Sequence, residues 1–268
     1  MSLRVIMRHS LKFGPTNPAW PSMLGRARAL VICVVLRASA FVIRRPARAP
    51  MAAFSSSATD LTRPTIKDYD DVAEDFWEGT KDHDVSQNVD ALLLHLGEGR
   101  HRILDFGCGP GRDVATFARL GHDVVGLDGS AKFCAMARAL TPAATVLQQD
   151  FVELDLAAAA PFDGVFANAA LFHVPSAALP RTLAALRGAL REGGVLFASN
   201  PHGFGEDKEG WTQGRVEGGA RYVCWQSEGT WCATMQTAGF VELDRYYRPA
   251  GQPRERQPWF ATVWRKGP

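Results

Sequence analysis

The chain lacks acidic residues over its first 59 positions, where it carries eight arginines and one lysine; the first acid is Asp60. Taking that +9 from the formal net charge of +2 leaves −7 on residues 60–268. A net acidic remainder argues against nucleic acid as a partner, because the phosphate backbone is bound through basic surfaces. Cysteine is scarce too. The five thiols form no Cys-x-x-Cys pair, which speaks against a disulfide framework and predicts reduced, mostly buried thiols. Cys224 and Cys232 could jointly meet a soft ligand, but two thiols at that spacing are weak support and no metal is expected. Long apolar runs are missing. Residues 29–36 are apolar, then Arg37 interrupts, and a bilayer span needs about 20 such residues. What is present suits a sizeable core: 46% apolar and 22% charged among 268 residues, a length that fits one α/β domain plus extras.

The stretch that organises the chain is Ile103-Leu104-Asp105-Phe106-Gly107-Cys108-Gly109-Pro110-Gly111-Arg112-Asp113. An apolar run of β type ends in an acid, three glycines alternate with other residues, and a helix pattern begins. The glycines allow a tight turn and close approach to a ligand. Such a loop, at the carboxyl end of a parallel strand, is where open α/β sheets bind nucleotides. Asp105 would repel a phosphate there but attract an ammonium group or a sugar hydroxyl. The dinucleotide fingerprint Gly-x-Gly-x-x-Gly is absent, since position 112 is Arg. The stretch closely resembles the glycine-rich motif of class I S-adenosylmethionine (SAM)-dependent methyltransferases.

Strands are predicted at 102–106, 122–127, 145–149, 162–168 and 195–200, with helices at 112–120, 131–140 and 176–191. Ser130 and Ser176 stand as N-caps of the last two helices. Upstream, a helix over 66–78 carries Tyr69, Val72, Ala73, Phe76 and Trp77 on one side, and another ends at Gly97. Residues 201–226 hold six glycines and read as a long functional connection. A helix at 229–238, a strand pattern from Val241, a Pro/Gly/Arg loop at 249–258 and a strand at 259–264 follow. Strands alternating with helices imply right-handed crossovers and a parallel sheet. The ending resembles the antiparallel C-terminal hairpin of class I methyltransferases. The resemblance, firm over 67–200, implies an α/β fold: a seven-stranded, mostly parallel doubly wound sheet with that hairpin and an N-terminal helical lid. It places a methyltransferase domain at 60–268, of the ubiquinone-methyltransferase-like, small-molecule type.

SAM is thereby implied as cofactor, and in-line methyl transfer to a small-molecule acceptor as the reaction. Asp105 would balance the methionine ammonium, while the backbone N–H groups at Gly107, Gly109 and Gly111 would serve its carboxylate. Asp128, followed by Gly129, would accept hydrogen bonds from both ribose hydroxyls. Asp150 would take the exocyclic amine of adenine, with Phe151 in ring contact. Each acid has a plain alternative as a strand-end or turn acid. Three in register, one per strand, favour the cofactor.

The loop 168–175 should border the transferring methyl, with Asn168 toward the methionine part. His173 titrates in the range of a general base. A His before Val-Pro here recurs in related small-molecule methyltransferases with differing acceptors, however, which speaks for a structural role. Tyr69 and Trp77 on the lid, and Arg215, Arg221, Tyr222 and Trp225 in the long connection, would face the acceptor. Arginine pairs suit a carboxylate or similar anion; a solvated basic loop is the plain alternative. Neither the Asn-Pro-Pro-Tyr segment of base-modifying enzymes nor a Lys-Asp-Lys-Glu constellation is recognisable. Lipid-quinone, carboxylate, amine and thiol acceptors all stay open. Two other classes stay open as well: a SAM-binding regulatory protein without turnover, and an NAD(P)-dependent oxidoreductase.

Residues 1–59 read as a targeting leader. A short basic region at 23–28 precedes the apolar run, and Ala38-Ser39-Ala40 offers a small-x-small cleavage pattern before Phe41. The Ala-Ser-Ala-Phe junction, with the acid-free, Arg- and Ser-bearing stretch behind it, resembles the bipartite plastid-targeting leaders of algae with complex plastids. A mitochondrial presequence, or a cytosolic protein begun at Met51, are the alternatives.

Overall fold

The computed structural model describes residues 57–202, 205–214 and 218–268. All but the last three residues of the expected leader, and Arg215, lie outside the described residues.

β1 (Arg102–Phe106) alternates its side chains between two faces. Leu104 and Phe106 join one buried cluster and Ile103 the other. A strand buried on both faces sits inside a parallel sheet. β1 pairs in parallel with β2 (Asp123–Asp128) on one side and β4 (Phe162–Asn168) on the other. β3 (Thr145–Gln148) and β5 (Leu190–Pro201) continue the parallel pairing outward. Two antiparallel strands, β8 (Phe240–Arg248) and β9 (Trp259–Lys266), complete a seven-stranded sheet of order β3-β2-β1-β4-β5-β9-β8. This is the expected architecture. The strand order reverses between β1 and β4, and open α/β sheets bind ligands at such a switch point, beyond the carboxyl ends of the strands.

Helices cover both faces. α6 (Leu179–Ala189) and α7 (Glu228–Thr237) bring Leu183, Leu186 and Trp231 into the cluster of Leu104, Leu196 and Trp264. α3 (Ser86–Leu96) and α4 (Arg112–Arg119) bring Leu92 and Phe117 to Ile103, Phe166 and Phe197. Phe166 lies edge-on to Phe117 at 5.1 Å and stacks on Phe197 at 5.0 Å. Each such buried ring contributes about 1.5–3 kcal/mol. α5 (Ala131–Leu140) opens as expected, with the Ser130 hydroxyl accepting the Phe133 N–H at 3.0 Å, a cap worth about 1 kcal/mol.

The fold departs from the sequence reading in three places. The helix expected over 66–78 is two helices, α1 (Ala58–Asp71) and α2 (Ala73–Thr80), broken at Val72. α1 opens on a capping box: the Ser57 hydroxyl accepts the Asp60 N–H, and the Asp60 carboxylate accepts the Ser57 N–H. Pro64 lies inside α1 and hid this start, because an interior proline forfeits a helical hydrogen bond. Ser176 does not cap α6. Its N–H and hydroxyl both donate to the Glu209 carboxylate, and Pro180 sits in the first turn instead. The long connection is not a plain loop. β6 (Lys208–Gln213) and β7 (Ala220–Trp225) pair as an antiparallel hairpin outside the main sheet. β6 is polar apart from Trp211 and holds Gly210, so its sequence shows no apolar alternation. Among the described residues no helix is long and apolar enough to cross a membrane.

Candidate active site

The loops after β1 to β4 meet α1, α2 and the β6–β7 hairpin around a cavity of about 870 Å³. Small-ligand sites occupy about 300–1,000 Å³, so this one has room for a cofactor and a second small molecule.

At one end of the cavity stand the acids of β2 and the turn after β3. Asp128 accepts the Gly109 N–H at 3.0 Å and the Ser130 N–H at 2.9 Å. Burial raises its pKa to about 6, against the pull of those N–H groups. Asp150 accepts the Thr62 hydroxyl at 2.5 Å and the Val152 N–H at 3.1 Å. Phe151 packs on Phe106 with ring centroids 4.4 Å apart. Asn168 accepts from the Asn88 amide at 2.8 Å. Gly109 presents bare backbone: a Cβ there would meet nothing nearer than Phe76, at 4.0 Å. Gly107 and Gly129 also line the cavity, but their missing Cβ atoms make room for protein, Ala170 at 2.5 Å and Ile66 at 2.8 Å respectively.

Several expectations for this end need correction. Asp105 is buried behind the cavity wall, not in it. Strand alternation puts it on the face of Ile103. Burial and the neighbouring Asp113 carboxylate hold it well above the usual carboxylate range, and its Oδ2 has no hydrogen-bond partner among the described residues. Gly111 is a packing glycine outside the wall, where a Cβ would come within 2.7 Å of the Ala137 Cα on α5. The backbone N–H groups are engaged. Gly107 and Cys108 donate to the Leu127 carbonyl, Gly109 to Asp128 and Gly111 to the Cys108 carbonyl. The cation available here is Arg112, which lines the cavity and holds Asp113 through two bonds of 2.8 and 2.9 Å.

α1 closes the cavity as a strap tied along its length. Asp70 accepts the Ser130 hydroxyl at 2.6 Å and the Lys132 N–H at 3.0 Å. The Thr65 hydroxyl accepts the Tyr222 N–H at 2.8 Å, and Asp68 pairs with Arg221. Tyr69 and Trp77 line the cavity, with the Tyr69 ring 5.6 Å from both Phe76 and Phe133.

At the other end, His173 joins strap to hairpin. Its Nδ1 lies 3.0 Å from the Tyr222 carbonyl and its Nε2 lies 2.9 Å from the Tyr69 hydroxyl. A carbonyl only accepts, so Nδ1 carries the proton and Nε2 accepts from Tyr69. Burial lowers the pKa of His173 to about 4, so it is neutral at pH 7. Both nitrogens are committed, which favours the structural role over that of a base. Arg221 stacks over the Tyr69 ring at 3.8 Å and lines the cavity with Val223 and Trp225. Tyr222, expected beside them, falls on the opposite face of β7 by strand alternation. There its ring meets Trp211 at 5.3 Å, and only its backbone serves the site.

Sequence reasoning missed Thr62, Asp68, Arg112, Arg248 and Trp259, all at or beside the cavity. Thr62 lies in the part of α1 ahead of the expected start at residue 66, and Asp68 lies within the expected helix but off its aromatic side. The last two flank a Pro/Gly/Arg loop without periodicity, and no local signal marks them. Among the described residues no group of three His, Cys, Asp or Glu could hold a metal ion.

Residues 103–194 match the family described as "Methyltransferase domain". Over 111 residues the chain is 37% identical to a trans-aconitate 2-methyltransferase of Azoarcus sp. (strain BH72), covering 39% of this chain and 40% of the relative. It is 38% identical to a malonyl-[acyl-carrier protein] O-methyltransferase of Enterobacter lignolyticus (strain SCF1), covering 41% and 43%. Each match spans less than half the relative's length. The fold matches a Burkholderia thailandensis 1,6-didemethyltoxoflavin-N1-methyltransferase, solved with 1,6-didemethyltoxoflavin and S-adenosylhomocysteine, at a TM-score of 0.65 and 22% identity over 83% of this chain and 94% of that one. Residues 103–194 therefore match a methyltransferase-domain family, and the chain shares its fold with the Burkholderia enzyme solved with S-adenosylhomocysteine.

Proposed function

We infer that the chain transfers a methyl group from SAM to a small-molecule acceptor. One observation carries the reading: Asp128 and Asp150, from neighbouring strand ends, line one cavity together with the bare backbone of Gly109. The donor set fits SAM. Asp128 is a carboxylate suited to a vicinal diol and Asp150 one suited to an exocyclic amine. Arg112 and the Asn168 amide stand where an amino-acid tail needs polar partners. The same loop fits a dinucleotide poorly, because its N–H groups are spent inside the protein and offer no cradle to a pyrophosphate.

SAM, when bound, supplies a methyl group on a positively charged sulfur. Little acid–base chemistry is then asked of the protein, which aligns donor and acceptor and excludes water. α1 does both. Its ties to Ser130, Lys132, Tyr222 and Arg221 hold Tyr69 over the junction of the two ends. His173 fixes the Tyr69 hydroxyl in turn.

Calorimetry of the chain with SAM, S-adenosylhomocysteine and NAD tests this. Micromolar binding of the first two and none of NAD is expected, followed by turnover of methyl-labelled SAM with an acceptor. NAD binding without SAM would overturn it, and SAM binding with no turnover over a broad acceptor screen would favour a regulatory protein.

Residues 1–59 are further read as a plastid leader, supported by their lack of acids and the Ala-Ser-Ala-Phe junction at 38–41. Fused to a fluorescent protein in an alga with complex plastids, they should direct it to the plastid, and Phe41→Ala should stop it outside. Mitochondrial or cytosolic fluorescence would refute this.

A further inference from the structure

We propose that the methyl acceptor is a carboxylate, held by the guanidinium of Arg221 against an aromatic wall and reacting as the anion without a protein base. The proposal rests on the methyl-transfer reading above.

Arg221 is placed for such a contact. It lies on the face of β7 that lines the cavity, with its side chain 11% exposed. Asp68, itself 1% exposed, takes its Nε, and the Tyr69 ring takes its flat face. These two contacts fix the plane of the guanidinium. Its Nη2 is left with no hydrogen-bond partner among the described residues. A buried N–H without an acceptor is costly, and the planar fork matches a carboxylate better than any other small group. Arg248 lines the same cavity and, among the described residues, donates one hydrogen bond, to the Asp84 carbonyl. Phe172, Trp225 and Trp259 supply apolar wall around this end. The cavity's other carboxylates, Asp113, Asp128 and Asp150, belong to the cofactor end, and Asp84 caps its own turn through the Ser86 N–H at 2.9 Å.

The second argument is chemical. A neutral alcohol, a phenol or an ammonium group must lose a proton to become a nucleophile, and a base must stand within reach of that proton. His173 cannot serve, since Nδ1 donates to Tyr222 and Nε2 is filled by Tyr69. The Tyr69 hydroxyl has already committed its proton to His173. His83 is exposed. A carboxylate with a pKa near 4 needs no base at neutral pH. One of its oxygens forms the new O–C bond, the C–S bond breaks, and the electron pair goes to sulfur, which loses its positive charge. No proton moves. The products are a methyl ester and S-adenosylhomocysteine.

The test uses the chain saturated with S-adenosylhomocysteine, titrated with phenylacetate, malonate and citrate, and with 2-phenylethanol and 2-phenylethylamine as neutral and cationic counterparts. At least one carboxylate should bind tenfold or more tightly than both counterparts. Arg221→Met should erase that preference while the variant still binds S-adenosylhomocysteine. With methyl-labelled SAM, the label should appear in a base-labile ester. Normal S-adenosylhomocysteine binding with no carboxylate preference, or a preference that survives Arg221→Met, overturns the proposal and leaves the methyl-transfer reading intact. Failure of the unaltered chain to bind S-adenosylhomocysteine overturns that reading instead. If Arg221→Met also loses S-adenosylhomocysteine, Arg221→Lys decides: carboxylate affinity should drop about tenfold with the cofactor site intact, and an unchanged affinity sinks the idea.

Discussion

The Tyr69 hydroxyl donates to Nε2 of His173 across 2.9 Å, and the two rings meet edge to face at 5.5 Å. One residue belongs to the strap and the other to the loop after β4, so the bond closes the cavity and fixes the imidazole at once. Tyr69→Phe keeps the ring and removes the donor, leaving a buried nitrogen without its partner. Such losses cost about 1–3 kcal/mol. Thermal unfolding should therefore shift down, with little change in S-adenosylhomocysteine affinity. An unaltered melting temperature would mean that the bond contributes nothing.

His173 also makes stability depend on pH. Its folded pKa, about 4 through burial, lies below the ordinary 6.5. Between those values the unfolded chain binds the extra proton and the folded chain does not. Stability from this group is therefore complete above about pH 6.5 and falls as pH drops toward 4. From pH 7 to 5 the loss is about 2 kcal/mol. Asp128, raised to about 6, works in the opposite direction over part of that window, so the comparison must be with a variant. Denaturation of the native chain and His173→Asn at pH 7 and 5 isolates the group; identical losses in both would refute it.

Much of this was legible in the chain. Strand alternation and the glycines located β1, β2, β4 and α5 because local chemistry alone dictates them. The strand-end acids Asp128 and Asp150 were marked by their places at successive strand ends together with the family resemblance. Three kinds of residue were not legible. The start of α1 was hidden by Pro64, whose cost is offset by tertiary ties such as Thr62 to Asp150. Tyr222 was assigned to the site because β7 was read as loop, and without a strand there is no inward and outward face. Asp105 resembled a ligand, yet its strand parity turns it behind the wall.

Asp128 should control cofactor affinity. Its carboxylate must be ionised to accept from two hydroxyls, and it is raised to about 6. Affinity for S-adenosylhomocysteine should therefore rise as pH goes from 5 to 7 and level off above. Asp128→Asn should lower affinity at pH 7 by about 10- to 100-fold, the range of one charge-assisted hydrogen bond, and should flatten the pH dependence. Calorimetry at several pH values reads both. A variant that binds as tightly as the native chain would remove Asp128 from the site.

The strap should set the rate of cofactor release. Asp70 ties α1 to α5 through the Ser130 hydroxyl and the Lys132 N–H. Asp70→Ala breaks both bonds but touches no residue of the cavity wall except through α1 itself. Stopped-flow dissociation of S-adenosylhomocysteine should quicken by about tenfold, the equivalent of one or two hydrogen bonds at about 1 kcal/mol each. Unchanged dissociation would show that the cofactor leaves by a path that does not involve α1.

The three glycines of the organising loop should separate by function when each is given a methyl group. All have positive φ, 77° at Gly107, 52° at Gly109 and 97° at Gly111, and the left-handed region alone costs an alanine about 1–2 kcal/mol. What differs is the space. At Gly111 the new Cβ would lie 2.7 Å from backbone of α5, which cannot yield cheaply. At Gly109 it would meet nothing nearer than 4.0 Å, but it would stand in the cavity. Gly111→Ala should therefore be the more destabilised of the two in chemical denaturation, by about 1–3 kcal/mol beyond the conformational cost. Gly109→Ala should lose no more than that conformational cost of about 1–2 kcal/mol and should lose S-adenosylhomocysteine affinity. If instead Gly109→Ala binds normally and Gly111→Ala melts no lower, the ligand does not approach the loop at Gly109, and the packing of α4 on α5 is looser than these distances state.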